Sequence, residues 1–128
     1  MLRILVIDDE ALIRSTVVTI LEREGFSVEV ASDGAAGIDM FHKNPPDLVI
    51  TDIFMPDRDG ITIIRELKRS HPRTKIIAMT GGGPTRMMEV SSAATFFGAD
   101  QILLKPFERE SLLAAVNAVL GTPSPPKK

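Results

Sequence analysis

Short apolar runs alternate along this chain with longer amphipathic stretches, and this alternation restricts the possible folds more than any other feature of the sequence. Gln101–Leu104 is the last strand candidate, and three other runs are almost wholly apolar, at Arg3–Ile7, Leu48–Thr51 and Lys75–Met79. Strands that are covered by helices on both faces have this composition. A further segment, Phe26–Ala31, alternates apolar and polar residues, which predicts a strand near the edge of the sheet.

Each predicted strand is followed by a helical pattern. The spacing of apolar residues predicts helices at Ala11–Glu24, from a cap at Asp33 to about Lys43, at Ile61–Ser70, from Pro84 to about Phe97, and after Glu108. Five strand–helix units with short connections predict an α/β fold with a parallel sheet and right-handed crossovers. In such sheets the functional site lies at the carboxyl ends of the strands, near the point where the strand order reverses.

The composition excludes several classes of function. A net charge of -2 and a pI near 5.7 argue against direct binding of nucleic acid, because phosphate contacts need a basic surface. The chain has no cysteine, so disulfides and thiolate metal sites are excluded. No apolar run is long enough for a signal peptide or a membrane span, and we therefore expect a cytoplasmic protein. We expect one domain over residues 1–121 and a disordered Pro- and Lys-containing tail over residues 122–128.

Acidic, hydroxyl and basic side chains stand at the ends of four predicted strands. Asp8 and Asp9 follow the first strand, Asp52 ends the third, Thr80 follows the fourth and Lys105 follows the last. Because the strands are predicted to be parallel, these side chains should converge at one edge of the sheet. Simpler explanations exist for each residue alone, since an aspartate often caps a helix and threonine is common at strand ends.

Three neighbouring carboxylates repel one another unless one is protonated or a cation binds them. Mg²⁺ prefers oxygen ligands, so the predicted cluster of Asp8, Asp9 and Asp52 suits it. The chain lacks cysteine, and its histidines, His42 and His71, are predicted to lie at helix ends on the surface. These observations argue against zinc or copper.

A carboxylate can also act as the nucleophile in phosphoryl transfer, with a metal, an ammonium and a hydroxyl each binding one phosphoryl oxygen.

The pattern resembles the receiver domain of bacterial two-component response regulators, of the single-domain chemotaxis-regulator type, across nearly all of residues 3 to 120. The matching motifs are Val6-Ile-Asp-Asp9, Thr51-Asp52, Met55-Pro56, Gly60, Thr80, Ala99-Asp100 and Leu104-Lys-Pro-Phe107. The resemblance implies a flavodoxin-like, doubly wound (βα)5 fold with strand order 2-1-3-4-5. It also implies a cis peptide bond between Lys105 and Pro106.

The resemblance implies a role for each site residue. Asp52 would be the phospho-acceptor, Lys105 would bind a phosphoryl oxygen, and Thr80 would be the switch residue that moves toward the phosphoryl group. The ligands of Mg²⁺ would be Asp8, Asp9, Asp52 and the backbone carbonyl of Phe54.

The same resemblance implies the partners. A histidine kinase or phosphotransfer protein would phosphorylate Asp52, and the change would reach a downstream protein effector, with a phosphorylation-dependent dimer as a further possibility. The chain would not be an enzyme beyond its own phosphorylation and dephosphorylation. Whether it stands alone, or is a receiver whose tail leads to a further domain, is left open by the sequence.

The chain departs from the usual family pattern at two positions. Ile102 stands where the family usually has Tyr or Phe, which predicts altered coupling between Asp52 and the output face. Phe54 stands two residues after the acceptor, where a bulky side chain is predicted to change the lifetime of the phosphoryl group.

Three other functions compete with this interpretation. A phosphatase of the haloacid-dehalogenase type would need an acid at the position of Phe54. A flavodoxin-like cofactor binder would need a hydroxyl-rich phosphate loop after the first strand, where Asp8-Asp9-Glu10 would repel the phosphate. A receiver-like protein that is never phosphorylated would not need the complete set of acids together with Lys105.

Overall fold

The computed structural model describes residues 2–54, 60–81 and 98–121, which form a parallel sheet with helices on both faces. In chain order the elements are β1 (Arg3–Ile7), α1 (Ala11–Arg23), β2 (Ser27–Ala31), α2 (Gly34–Lys43), β3 (Leu48–Asp52), α3 (Gly60–Ser70), β4 (Lys75–Thr80), β5 (Gln101–Leu104) and α4 (Arg109–Leu120). Every predicted strand is present, and each predicted helix within the described ranges is found within a few residues of its expected bounds.

The five strands are parallel and lie in the order β2-β1-β3-β4-β5. This order confirms the flavodoxin-like fold and places β2, predicted as an edge strand, at one edge of the sheet. The chain moves outward from β1 to β2 and then crosses back to β3 on the other side of β1. The order therefore reverses between β1 and β3. Ile7 and Thr51 are partners in the register of these two strands, so Asp8 and Asp52 leave the sheet side by side.

Two apolar cores, one on each face of the sheet, explain the uninterrupted apolar runs. Leu5 and Ile7 of β1 pack with buried residues of α2 and α3. Ile4 and Val6 of the same strand pack with buried residues of α1 and α4. Because successive side chains of a strand point to opposite faces, a strand between two helical layers has to be apolar at every position.

The helix ends follow the local sequence. The carboxylate of Asp33 accepts a hydrogen bond from the backbone N–H of Ala36 at 2.8 Å, which confirms it as the cap of α2. Gly25 follows α1 in a backbone conformation with φ +92°, which favours glycine. The residue before α1 is Glu10, whose side chain makes no capping bond. Asp8 and Asp9 therefore do not serve as the cap of this helix.

An ion pair holds the amino ends of β4 and β5, at the opposite end of the strands from Asp52. The carboxylate of Asp100 accepts a hydrogen bond from the backbone N–H of Ile76 at 2.8 Å. It also contacts the ammonium of Lys68, in the last turn of α3, at 3.2 Å. Lys68 in turn donates to the carbonyl oxygen of Thr74 at 2.8 Å. The Ala99-Asp100 motif is thus part of the framework of the domain.

One surface prediction is wrong. His42 is exposed as expected, but His71 is partly buried, with its ring edge-on to that of Phe41 at a centroid distance of 5.0 Å. Its Nδ1 atom is buried without a hydrogen-bond partner. The reason is that α3 ends beside α2, so the first residue after the helix packs against the α2 side chains.

Several predictions lie outside the described residues. They concern the helix from Pro84 to Phe97, the Met55-Pro56 motif and the tail over residues 122–128. In the described ranges, none of the helices has the length and apolar character needed to cross a membrane.

Gly60 allows the backbone of α3 to approach the end of β3. A Cβ atom at this position would lie 2.4 Å from the Cα atom of Ile53 and 2.7 Å from the carbonyl oxygen of Asp52. We therefore expect Gly60→Ala to lower the free energy of unfolding by about 1–3 kcal/mol, the usual cost of overpacking. Urea denaturation followed by circular dichroism measures this change.

Gly81→Ala is the matched control for Gly60→Ala. Its Cβ atom would make an ordinary contact with Cβ of Lys105 at 3.6 Å, so its stability should stay close to that of the wild type. Equal losses in the two variants would contradict the close approach at Gly60.

Candidate functional site

The carboxyl ends of four neighbouring strands bring the predicted site residues to one edge of the sheet. Asp8 follows β1, Asp52 is the last residue of β3, Thr80 is the last residue of β4 and Lys105 follows β5. The cleft at this edge has a volume of about 280 Å³ and is lined by Asp9, Glu10, Asp52, Phe54, Gly81 and Lys105.

Three carboxylates meet in this cleft. One oxygen each of Asp8, Asp9 and Asp52 lies within 4.8 Å of the others. Asp8 and Asp52 are buried, whereas Asp9 is exposed. Within the described part of the chain this is the only group of three acidic, histidine or cysteine side chains close enough to share a metal ion. Its oxygen donors suit a hard divalent cation such as Mg²⁺.

The ammonium of Lys105 lies among the carboxylates. Its Nζ atom is 2.9 Å from Oδ2 of Asp8, 3.2 Å from Oδ2 of Asp52 and 3.3 Å from Oε1 of Glu10. Burial favours the neutral amine, but the hydrogen bond to Asp8 and the negative charges of Asp52 and Asp8 outweigh it, and the pKa of Lys105 is raised. Lys105 is therefore a cation that compensates part of the negative charge of the cluster.

Burial changes the ionisation of Asp52. Desolvation raises its pKa, and the charge of Asp8 adds to the effect. Lys105 and the backbone N–H of Phe54, which donates to Oδ1 of Asp52 at 3.3 Å, act in the opposite direction without cancelling it. The ionised form of Asp52 is thus less stable here than in water, and a bound divalent cation would relieve this cost.

Thr80 is buried and does not line the cleft, unlike the adjacent Gly81. Its hydroxyl donates to the carbonyl oxygen of Gly81 at 3.3 Å. The backbone N–H of Lys105 donates to the carbonyl oxygen of Thr80 at 2.7 Å. The peptide bond between Lys105 and Pro106 is cis, as expected from the resemblance. The hydroxyl of Thr80 would have to turn away from Gly81 to reach a ligand in the cleft.

Two contacts of the site were not predicted from the sequence. The side chain of Glu10 contacts Lys105, and the guanidinium of Arg14 donates to the backbone carbonyl of Asp8 at 2.8 Å. Glu10 directly follows the two aspartates, so a third acid at the strand end was a usable signal. Arg14 stands one helical turn later on α1, and no pattern in the sequence points to its role.

The two unusual residues differ in their surroundings. Phe54 is partly buried and lines the cleft beside Asp52. Ile102 is partly buried against the core on the α2 and α3 side and also lines a separate cleft between β5 and α4. The effect of Ile102 on coupling and the ligand role of the Phe54 carbonyl stay predictions.

Comparisons with known proteins point to one family. The model of the response regulator receiver domain matches residues 4–117. The chemotaxis protein CheY of Bacillus subtilis (strain 168) is 36% identical over 120 residues, which are 93% of this chain and 98% of that protein. The response regulator MprA of Mycobacterium sp. (strain KMS) is 37% identical over 123 residues, which are 96% of this chain but 52% of MprA. The chain thus spans about half the length of this relative.

Solved structures agree with the sequence comparisons. A response regulator receiver domain protein from Clostridium thermocellum superposes with a TM-score of 0.87 at 35% sequence identity. The match covers 94% of this chain and 95% of that one. Fold and sequence similarity therefore extend together over nearly the whole chain.

The raised pKa of Asp52 generates a prediction about stability in metal-free buffer. Between the ordinary value of 3.8 and the raised value, the folded protein holds more protons than the unfolded chain, so the free energy of unfolding falls as pH rises through this interval. We expect Asp52→Asn to remove that fall and to be more stable than the wild type at neutral pH, because the amide carries no charge to desolvate. Lys105 keeps Asp8 and Glu10 as partners in this variant.

Urea denaturation in EDTA at several pH values measures the effect of Asp52→Asn. Asp39→Asn is the control, because Asp39 is exposed and forms an ion pair with Lys43 on the surface of α2. An Asp52→Asn protein that is less stable than the wild type at neutral pH would show that the charge of Asp52 stabilises the fold.

Proposed function

The chain belongs to the response regulator receiver domain family, and on this basis we propose that Asp52 accepts a phosphoryl group from a histidine kinase or phosphotransfer protein. The observation that carries the proposal is the meeting of three carboxylates with the ammonium of Lys105 at the point where the strand order reverses. Asp52 is buried, stands at the carboxyl end of β3 between the ends of β1 and β4, and lies 3.2 Å from the ammonium of Lys105.

The donor set fits Mg²⁺. Asp8, Asp9, Asp52 and the backbone carbonyl of Phe54 would hold the ion, which supplies positive charge for the phosphoryl oxygens when it is bound. The remaining charge comes from the chain itself, because the ammonium of Lys105 lies 3.2 Å from Asp52 and can bind another phosphoryl oxygen.

The reaction is a displacement at phosphorus. A carboxylate oxygen of Asp52 forms a new bond to phosphorus, while the bond between phosphorus and the imidazole nitrogen of the donor histidine breaks. The electron pair of the broken bond stays on that nitrogen, and the product is an acyl phosphate on Asp52. Hydrolysis of this anhydride by water restores the carboxylate and releases inorganic phosphate.

Phosphorylation would be transmitted through Thr80. We propose that its hydroxyl leaves the carbonyl of Gly81 and binds a phosphoryl oxygen, which moves Thr80 and Gly81 and shifts the balance between two surface conformations. A protein effector, or a second copy of the chain, would recognise the shifted surface. The relatives include a protein of which the chain spans 98% and others of which it spans about half. We therefore propose the receiver function alone and attach no output activity.

Incubation with Mg²⁺ and acetyl phosphate tests the proposed function. We expect the wild type to gain the mass of one phosphoryl group and Asp52→Asn to gain none, because the acceptor oxygen is replaced. Intact-mass spectrometry is the suitable measurement, since the chain has no Trp or Tyr to serve as a fluorescent reporter. EDTA should abolish the gain.

Asp47→Asn is the control for the phosphorylation assay. Asp47 precedes β3, at the opposite end of this strand from Asp52, and its carboxylate accepts a hydrogen bond from the backbone N–H of Arg3. A mass gain that persists in Asp52→Asn, or one that is lost in Asp47→Asn, would refute Asp52 as the specific acceptor.

Phe54 is expected to protect the acyl phosphate. Phe54 lines the cleft beside Asp52, and we propose that its side chain restricts the approach of water to phosphorus. We expect Phe54→Asn to lose the phosphoryl group severalfold faster than the wild type after the phosphodonor is removed, and Phe54→Leu to stay close to the wild type. Identical decay of the acyl phosphate in all three proteins would rule out this role.

A further inference from the structure

Lys105 has as many acidic partners as it has protons to donate. An ammonium group carries three N–H donors and no acceptor. In this structure the acceptors are Asp8, Asp52 and Glu10, at 2.9, 3.2 and 3.3 Å. Any phosphoryl oxygen that Lys105 is to bind must therefore displace one of these carboxylates.

Glu10 is the partner that can leave most easily. Its side chain is 61% exposed, whereas those of Asp8 and Asp52 are 0% and 7% exposed, so water can replace Lys105 at Glu10 alone. The main chain of Glu10 is fixed, because its N–H donates to Oδ1 of Asp8 at 2.8 Å. Release therefore needs only a rotation of the Glu10 side chain.

We propose that Glu10 is a positioning residue that competes with the phosphoryl group for Lys105 and thereby sets the rate at which Asp52 is phosphorylated. This inference rests on the proposed function. In the unphosphorylated protein the carboxylate of Glu10 accepts the third N–H of Lys105. A phosphoryl oxygen would take the place of this carboxylate. Two carboxylates would hold Lys105 less tightly than three do, so loss of the Glu10 contact makes the ammonium more available.

Two variants of Glu10 separate the contact from the charge. Glu10→Gln removes the charge, whereas Glu10→Asp keeps the charge but shortens the side chain by one methylene group, which takes the carboxylate out of reach of Lys105. With Mg²⁺ and acetyl phosphate, both should be phosphorylated about two- to fivefold faster than the wild type, the factor that corresponds to one exposed ion pair.

Glu22→Gln is the control for the removal of one negative charge. Glu22 is exposed in the last turn of α1, about 18 Å along the helix from Glu10. Its variant should be phosphorylated at the rate of the wild type.

A metal-free measurement tests the contact without any phosphodonor. In EDTA, the change in the urea midpoint caused by Glu10→Gln should be more destabilising in the wild-type background than in a Lys105→Gln background. Identical changes in the two backgrounds would show that Glu10 and Lys105 are not coupled, and would overturn the proposal.

The pattern of phosphorylation rates decides the remaining outcomes. A faster rate in both Glu10→Gln and Glu10→Asp supports competition for Lys105. A faster rate in Glu10→Gln alone would mean that charge repulsion at the cleft is the cause, and an unchanged or slower rate in both would mean that Glu10 does not compete. Either result overturns the inference while Asp52 remains the acceptor. If the wild type takes up no phosphoryl group, the proposed function itself is refuted, and the inference with it.

Discussion

Repulsion among buried carboxylates is the constraint on which the functional edge of this domain depends. Asp8 and Asp52 are removed from water by the fold, and Asp9 brings a third negative charge within 4.8 Å. Such a cluster is unfavourable unless cations accompany it. Lys105 supplies one positive charge and is held by three acids at once. The site therefore keeps a negative excess that a divalent ion can satisfy, and the proposed phosphoryl group would need that ion to be bound here.

The order of the strands produces this cluster. Asp8 and Lys105 are 97 residues apart in the sequence, yet β1, β3, β4 and β5 are neighbours in the sheet, so their carboxyl ends adjoin. The register pairs Ile7 with Thr51 and Thr80 with Leu104, which sets Asp8 beside Asp52 and Lys105 beside Thr80. The two apolar cores hold the strands in this register, because a slip of one residue would exchange the side chains of the two faces. Membership of the receiver family thus has a direct structural basis in these four strand ends.

The strands β1, β3 and β4 were predictable because burial on both faces requires an uninterrupted apolar run. The edge strand β2 was predictable from its alternating residues, and Asp33 and Gly25 mark helix ends by local chemistry. The convergence of Asp8, Asp9, Asp52 and Lys105 followed from the rule on parallel strand ends. Contacts that depend on side-chain direction were not predictable. The reach of Glu10 to Lys105, the hydrogen bond from Arg14 to Asp8 and the partial burial of His71 all depend on how helices sit against the sheet. The spacing of apolar residues within a single helix carries no information about how that helix sits against the sheet.

The ion pair of Asp100 and Lys68 gives the sheet two chemically different ends. At the amino ends of β4 and β5 each of these charges has an opposite charge and a backbone partner within the fold, so this end needs nothing from the solution. The carboxyl ends carry unbalanced charge, whose free energy varies with dissolved ions, protons and phosphodonors. Changes in the solution therefore act on the carboxyl ends of the strands, whereas the amino ends of β4 and β5 stay as the ion pair holds them. A change of charge at the carboxyl ends therefore leaves the ion pair at the amino ends in place.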